Sequence, residues 1–307
     1  MIYERKGDWL LLKVPAKWEG SSIEEVFSHY LFASRKQIHL FKMEKKVQLN
    51  NQNVPWNTPL HKDDTLKIKM FHNQPNDIIP TFMDISILYE DDFLLIVNKP
   101  DSMDTHPNAS DDTTSLLNGV AYYLLMNGEE RQVKHIHRLD RDTTGCILFA
   151  KHELVANMLD FMLRERTIKR TYIALVHGLL TKKQGIIDKA IGKDRHHSSR
   201  RRISGNGQKA ITHYKVLQKS PKENVTLITC SLETGRTHQI RVHLSSIQHP
   251  LAGDILYGGK PIFKRQALHA IKIEFKHPIS EEMLTIYAPP MDQPAIFPRL
   301  EWEELLK

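Results

Sequence analysis

Cysteine is nearly absent, with only Cys146 and Cys230 in 307 residues. Two thiols so far apart cannot build a disulfide framework or a zinc-binding cluster, and both read as buried thiols of a reducing compartment. Long apolar runs are missing as well. No stretch approaches the ~18 residues of a membrane span, and mean hydropathy is −0.42. The start, MIYERKGDWLLLKVP, places acids early around a short apolar run, so it does not read as a signal peptide. Internal repeats of fixed period and low-complexity tracts are also lacking. Forty per cent apolar residues nevertheless suffices for a real core, which excludes disorder as the main state. The expectation is a soluble cytoplasmic chain of about two domains, at roughly 150 residues per domain.

Charge is modest in sum, +7 at neutral pH, but unevenly placed. Residues 81–130 hold ten acids and one base, whereas residues 131–220 hold twenty bases and seven acids. A basic block beside an acidic one fits a polyanionic partner, because Lys and Arg replace counterions along a phosphate backbone. The same pattern also fits an ordinary solvated surface.

Residues 1–72 read as a small separate unit. Ser21 and Ser22 precede Glu24 and Glu25 at capping-box spacing, and Ile23, Val26, Phe27, Tyr30 and Leu31 then follow the rhythm of an amphipathic helix. Ser34, with Gln37 three residues on, opens a second helix carrying Arg35, Lys36 and Lys42. Val47–Leu49 and Thr65–Met70 alternate like short strands. Residues 73–82, with two prolines and polar turn formers, read as a linker. From 83 to 300, apolar runs at 93–97, 146–150, 171–176 and 225–230 read as strands, and helical patterns lie near 114–126 and 153–165. Strands in runs with occasional helices favour an α+β fold with a mixed, largely antiparallel sheet.

Chemistry concentrates in three segments. HRLDRDTTG (137–145) sets a short carboxylate in a polar loop before an apolar strand, although Asp140 and Asp142 also fit turn positions. Lys169-Arg170-Thr171-Tyr172 brings two bases and an aromatic to the start of a strand, where a tyrosine is commonly a core residue. In LETGRTHQIRVHLSSIQHPLAGD (232–254), a predicted helix places His238, Arg241 and Ser245 on one face and Ile240, Leu244 and Ile247 on another. An arginine on an anchored helix invites a buried carboxylate, unless it is a plain surface charge.

These residues resemble the RluA-type RNA pseudouridine synthases, which isomerise uridine in ribosomal or transfer RNA. HRLDRDTTG is similar to their signature. IVNKP…HP (96–107), KRTYIALVHG (169–178), GRTHQIRVHL…HPLAGD (235–254) and LHA…HP (268–278) fall in the family's order. Residues 1–72 resemble an S4-type RNA-binding fold, a companion domain common in that family, although its glycine turns are missing. An adaptor or dimerisation unit is the other reading. The resemblance implies that Asp140 is the catalytic aspartate, that Tyr172 stacks on the extracted base and helps handle protons, and that Arg241 pairs with the aspartate. It implies that Arg138 helps fill the space left by the flipped base. Ser102 and Thr144 stand where the family usually has glycine and serine.

The physics fits those roles. A paired base must be flipped out at a cost of a few kcal/mol, and stacking on an aromatic returns about 1–3 kcal/mol. A closed cleft disfavours a bare carboxylate, and a contacting guanidinium opposes that effect and holds its orientation. The uracil is detached, rotated and rejoined through carbon, with no water consumed and nothing oxidised. One carboxylate therefore suffices, unlike the pair of a glycosidase, and neither a metal nor an organic cofactor is expected. The basic segment 193–209 reads as a mobile hairpin or loop in which Arg195, Arg200, Arg201, Arg202 and Lys209 contact RNA; Arg138, Arg35 and Lys36 are the other expected contacts. The expected molecule is a monomer whose partner is RNA, with no membrane and no small-molecule cofactor.

Three alternatives stand beside this reading. Asp140–Thr144 fits the D-x-D-x-T pattern of magnesium-dependent phosphatases, but there the apolar strand leads into the first aspartate, and here it follows. His135 and His137 form an H-x-H pair, with His196 and His197 as further ligands, in a chain whose seventeen histidines produce such pairs by chance. A non-catalytic RNA-binding or ribosome-assembly protein would share the charge pattern without needing Asp140, Tyr172 and Arg241 together.

Overall fold

The computed structural model describes residues 1–73, 77–298 and 301–306; residues 74–76, part of the expected linker, lie outside the described residues. The chain opens with a hairpin that the sequence reading did not include, β1 (Tyr3–Lys6) turning at Gly7 into β2 (Trp9–Lys13). The two serine-led helices follow. Ser22 and Glu25 close a capping box at the head of α1 (Ile23–Glu25), which runs on as a π turn over Val26–Tyr30. Ser34 and Gln37 close another on α2 (Arg35–Met43). In each, the serine oxygen accepts an orphan amide while the Glu or Gln side chain returns to the serine N–H, so both helix starts are fixed locally. β3 (Val47–Leu49) and β4 (Thr65–Lys69) complete an antiparallel sheet in the order β1-β2-β4-β3.

The larger sheet takes strands from the rest of the chain. First come β5 (Ser86–Glu90), β6 (Leu94–Lys99), α3 (Leu116–Met126), β7 (Lys134–His135), β8 (Thr144–Ala150) and α4 (Glu153–Arg164). Then come β9 (Lys169–His177) and β10 (Gln184–Asp188), and a small separate hairpin of β11 (Ile191–Lys193) and β12 (Arg201–Ile203). β13 (Ile211–Ser220), β14 (Val225–Leu232), α5 (Gln239–Ser245), β15 (Leu268–Lys276) and β16 (Met283–Tyr287) follow. Among the described residues the large sheet has ten strands, ordered β10-β13-β14-β9-β15-β8-β6-β5, with β16 beside β15 and β7 beside β8. Every pairing is antiparallel except β8 with β15. This is the mixed, largely antiparallel sheet expected from the apolar runs.

Two features of this sheet position the site. Where β8 meets β15, Gly145 lies opposite Ala270 at φ +111°, and a Cβ there would sit 2.3 Å from the Ala270 carbonyl oxygen. Only glycine permits that approach, and it sets the strand that follows the 137–143 loop. One face of the sheet packs α3 and α5 through Leu116, Val120, Leu139, Ile147, Tyr172, Ile240, Leu244 and Leu268. The opposite core joins the N-terminal unit to the rest, because Leu10, Phe27 and Phe71 share one cluster with Phe93, Leu148 and Phe275.

Candidate active site

The loop 136–143 is pinned from several sides before it presents any chemistry. Thr105 Oγ1 donates to the Leu139 carbonyl at 3.1 Å and accepts the Leu139 N–H at 3.2 Å. The buried Lys99 ammonium donates to the carbonyls of Pro100, Met103 and Arg141 at 2.9, 2.6 and 2.7 Å. The amide of Thr143 closes a turn onto the Asp140 carbonyl at 2.9 Å. A loop tied this way holds its carboxylate without help from substrate.

The side chain of Asp140 opens into a cleft of about 520 Å3. Its Oδ2 accepts a hydrogen bond from Arg241 Nη1 at 3.2 Å. Arg241 stands on α5 and is itself gripped by Asp254, with Nε to Oδ2 at 2.7 Å and Nη2 to Oδ1 at 2.9 Å. Burial alone would lower the Arg241 pKa, but bonding and charge contact with Asp254, and then with Asp140, outweigh it and push it above its ordinary value. Tyr172, on β9, is 4% exposed and lines the same cleft. Its phenol is raised above the ordinary range by burial. The expected trio, Asp140, Tyr172 and Arg241, is therefore brought together from a loop, a strand and a helix.

His238 precedes α5 in the left-handed backbone region, at φ 57°. Its Nε2 lies 3.8 Å from Asp140 Oδ2, and its Nδ1 lies 2.8 Å from the hydroxyl of Tyr257. The Tyr257 ring packs 5.0 Å beneath the Arg241 guanidinium, and its carbonyl accepts the Ser245 hydroxyl at 2.8 Å. The face shared by His238, Arg241 and Ser245 is thus real, and Tyr257 is what it meets. The H-x-H pair is otherwise employed: His135 stacks on His106 with centroids 4.7 Å apart, and His137 Nε2 accepts the Leu148 amide at 3.3 Å.

Around the cleft mouth stand Arg138, Arg164, Arg166, Arg170 and Arg236, against Glu233 and Asp140 as the lining acids. Arg138 is exposed, as its expected role requires. Arg166 pairs with Glu233 at 2.7 Å, and Arg236 Nε donates to the Lys209 carbonyl at 3.2 Å. The segment expected as a mobile hairpin or loop forms the hairpin β11–β12 and its flanks, with Arg195, Arg200, Arg202 and Lys209 exposed and Arg201 half-buried. It is tied to the cleft, because the Arg201 amide donates to the Tyr257 hydroxyl at 2.9 Å and the Arg200 guanidinium lies 5.9 Å from the Tyr257 ring centre. Arg35 and Lys36 are exposed in the first turn of α2.

A half-buried carboxylate held by a buried arginine beside a buried tyrosine, in an arginine-rimmed cleft, suits a flipped base carried by a polyanion. Comparison with known proteins agrees with that chemistry. The sequence pattern of the RNA pseudouridylate synthases matches residues 93–246. The chain belongs to the RNA pseudouridylate synthase family. Residues 10–66 match the pattern described as the RluD ribosomal pseudouridine synthase N-terminal domain. The synthase is 43% identical over 286 residues to the uncharacterized RNA pseudouridine synthase YhcT of Bacillus subtilis (strain 168), covering 93% of this chain and 95% of that protein. It is 34% identical over 294 residues to the ribosomal large subunit pseudouridine synthase D of Neisseria meningitidis, covering 91% and 78%. Human RNA pseudouridylate synthase domain containing 1 superposes with a TM-score of 0.57 at 26% identity, covering 67% of this chain and 84% of that one. The synthase is thus an RNA-modifying isomerase, and the non-catalytic alternative falls away.

Sequence reasoning missed several residues of this cleft. Asp254 stood inside the segment read for Arg241, thirteen positions on, but nothing local ranks it above Asp140 as the arginine's partner. Tyr257 follows it with no motif of its own. Arg164 and Arg166 had only their charge as a signal, and Arg236, inside the resembling segment 235–254, was given no role of its own.

Proposed function

We propose that the synthase isomerises uridine in ribosomal RNA, with Asp140 as the nucleophile. The observation that carries this reading is the 3.2 Å contact between Arg241 and Asp140 in a cleft lined by Tyr172. The large-subunit ribosomal synthases among the relatives support the choice of substrate. The Asp140 carboxylate attacks the sugar–base system as the N1–C1′ bond of uridine breaks. The freed uracil turns against Tyr172, C5 bonds to C1′ as the bond to the Asp140 oxygen breaks and releases the carboxylate, and the C5 proton leaves while N1 gains one. Arg241 keeps the carboxylate aimed, and Arg138 fills the gap left in the RNA. The rim arginines and the β11–β12 hairpin take phosphates, and the N-terminal unit, S4-like over about residues 1–72, adds Arg35 and Lys36. The catalytic unit runs over about residues 83–300, in a cytoplasmic monomer.

Replacing Asp140 by Asn keeps the shape and removes the nucleophile. The expected outcome is a loss of about 10^4-fold or more in the rate of pseudouridine formation, with RNA affinity within about twofold. Tritium release from RNA labelled at uridine C5 measures the first, and filter binding of the same RNA measures the second. An active Asp140→Asn variant would remove Asp140 from the role. Pseudouridine mapping of cellular RNA with and without the protein would identify the modified position, and an unchanged ribosomal map would redirect the substrate to another RNA.

A further inference from the structure

One group in the cleft has no part in the scheme above. His238 sits between the catalytic aspartate and Tyr257, and its two ring nitrogens face opposite ways. We propose that His238 is a positioning residue that aims an Nε2–H at the Asp140 carboxylate, with its tautomer set by the Tyr257 hydroxyl that the basic hairpin holds in place. The proposal rests on the reading of Asp140 as nucleophile.

The tautomer follows from the surroundings of each ring nitrogen. The Tyr257 oxygen already accepts the Arg201 amide at 2.9 Å, which leaves its own proton free to point at His238 Nδ1, 2.8 Å away. An imidazole that accepts at Nδ1 carries its proton on Nε2. Separately, Nε2 faces Asp140 Oδ2 at 3.8 Å, where a lone pair would repel the carboxylate and an N–H attracts it. Burial lowers the His238 pKa from its ordinary value, which favours the neutral ring in which a tautomer is defined. A separation of 3.8 Å is longer than a hydrogen bond, and contacts of this kind commonly tighten when substrate closes a site.

The geometry also divides labour at Asp140. Arg241 and His238 both approach Oδ2, so Oδ1 is left to the substrate. Through Tyr257 the second of these donors is fastened to the hairpin that carries Arg200, Arg201 and Arg202. The hairpin and the carboxylate are thereby linked through Tyr257 and His238, by two hydrogen bonds and one 3.8 Å contact.

The test compares isosteres. A glutamine amide reaches the Nε2 position, whereas an asparagine amide reaches only Nδ1 but tolerates the left-handed backbone better. Single-turnover tritium release would be measured on C5-labelled total RNA from cells lacking the protein, with filter binding of the same RNA and thermal melting alongside. His238→Ala and His238→Asn are expected to slow the chemical step about 10- to 100-fold, with affinity within about twofold. His238→Gln is expected to recover about tenfold over His238→Ala. Tyr257→Phe keeps the ring beneath Arg241, frees Nδ1 to take the proton, and is expected to slow the step about tenfold at unchanged affinity. Rescue by Asn rather than Gln would show that the backbone, not the N–H, matters and would overturn the proposal. Wild-type rates in His238→Ala would do the same, as would rate losses that track melting temperature or affinity. An active Asp140→Asn variant would instead sink the reading beneath it, so the two failures are separable.

Discussion

Arg241 has two carboxylate partners, and they are not equal. Asp254 takes two bonds at 2.7 and 2.9 Å with its side chain 1% exposed, while Asp140 takes one at 3.2 Å and is 19% exposed. The helix arginine is thus anchored by Asp254 and only lends its third nitrogen to Asp140. A nucleophile whose charge changes during reaction can then do so without unseating its partner. This division predicts a stability contrast. Arg241→Met leaves Asp254 buried and unpaired, and breaking such a pair costs about 3–5 kcal/mol. Asp140→Asn removes one partly solvated contact and should cost no more than about 1 kcal/mol. Urea unfolding of the two variants measures both. Equal losses would mean that Asp140, not Asp254, is the anchor.

At the scale of elements, the hairpin β11–β12 and helix α5 work as a pair, joined through Tyr257. Arg202 points to solvent while Arg200 faces Asp194 at 3.8 Å and the Tyr257 ring, so the hairpin carries a charged edge on a fixed base. Replacing Arg200, Arg201 and Arg202 together by Gln keeps the Arg201 amide on Tyr257. It should weaken RNA binding and flatten the slope of log affinity against log salt by about 0.7 for each phosphate left unneutralised. A salt titration of the triple variant against wild type checks this, and an unchanged slope would place the phosphates elsewhere. What could be read from the sequence divides along the same line. The capping boxes at Ser22 and Ser34, and the apolar runs that became β6, β8, β9 and β14, are local patterns and were legible. β1 was not, because its four residues are all exposed and carry no apolar signal. Nor was the His238–Tyr257 bond, which spans nineteen positions and an intervening loop. Asp140, Tyr172 and Arg241 were legible only because several ordered segments resembled one family; from local pattern alone each had an equally good bland reading.

At the scale of the whole molecule, the uneven charge seen in the sequence acquires a place. Acids from the 81–130 block are used in structural contacts: Glu90 pairs with Lys151 at 2.9 Å, Asp91 Oδ2 lies 3.0 Å from His277 Nε2, and Asp92 pairs with Arg5 of the N-terminal unit. From the basic 131–220 block, Arg138, Arg164, Arg166 and Arg170 line the cleft. Aromatic packing closes the N-terminal unit onto the large sheet. Phe71 packs at 5.7 Å from Phe93 and 5.0 Å from His152, Phe32 stacks on Phe161 at 3.7 Å, and Asn157 on α4 bonds Gln37 on α2. A unit that reads as separate in sequence therefore shares its core with the catalytic sheet. α4 also carries Leu163 and Arg164 into the cleft, and the same two residues line a second groove with Phe32 and Ser34 just ahead of α2. A shared core implies shared unfolding. Phe71→Ala, at a side chain 4% exposed, should cost about 3–5 kcal/mol, and the variant should still unfold in one calorimetric transition displaced to lower temperature. Two transitions, with the larger one unmoved by Phe71→Ala, would mean that the N-terminal unit is held by its linker rather than by packing.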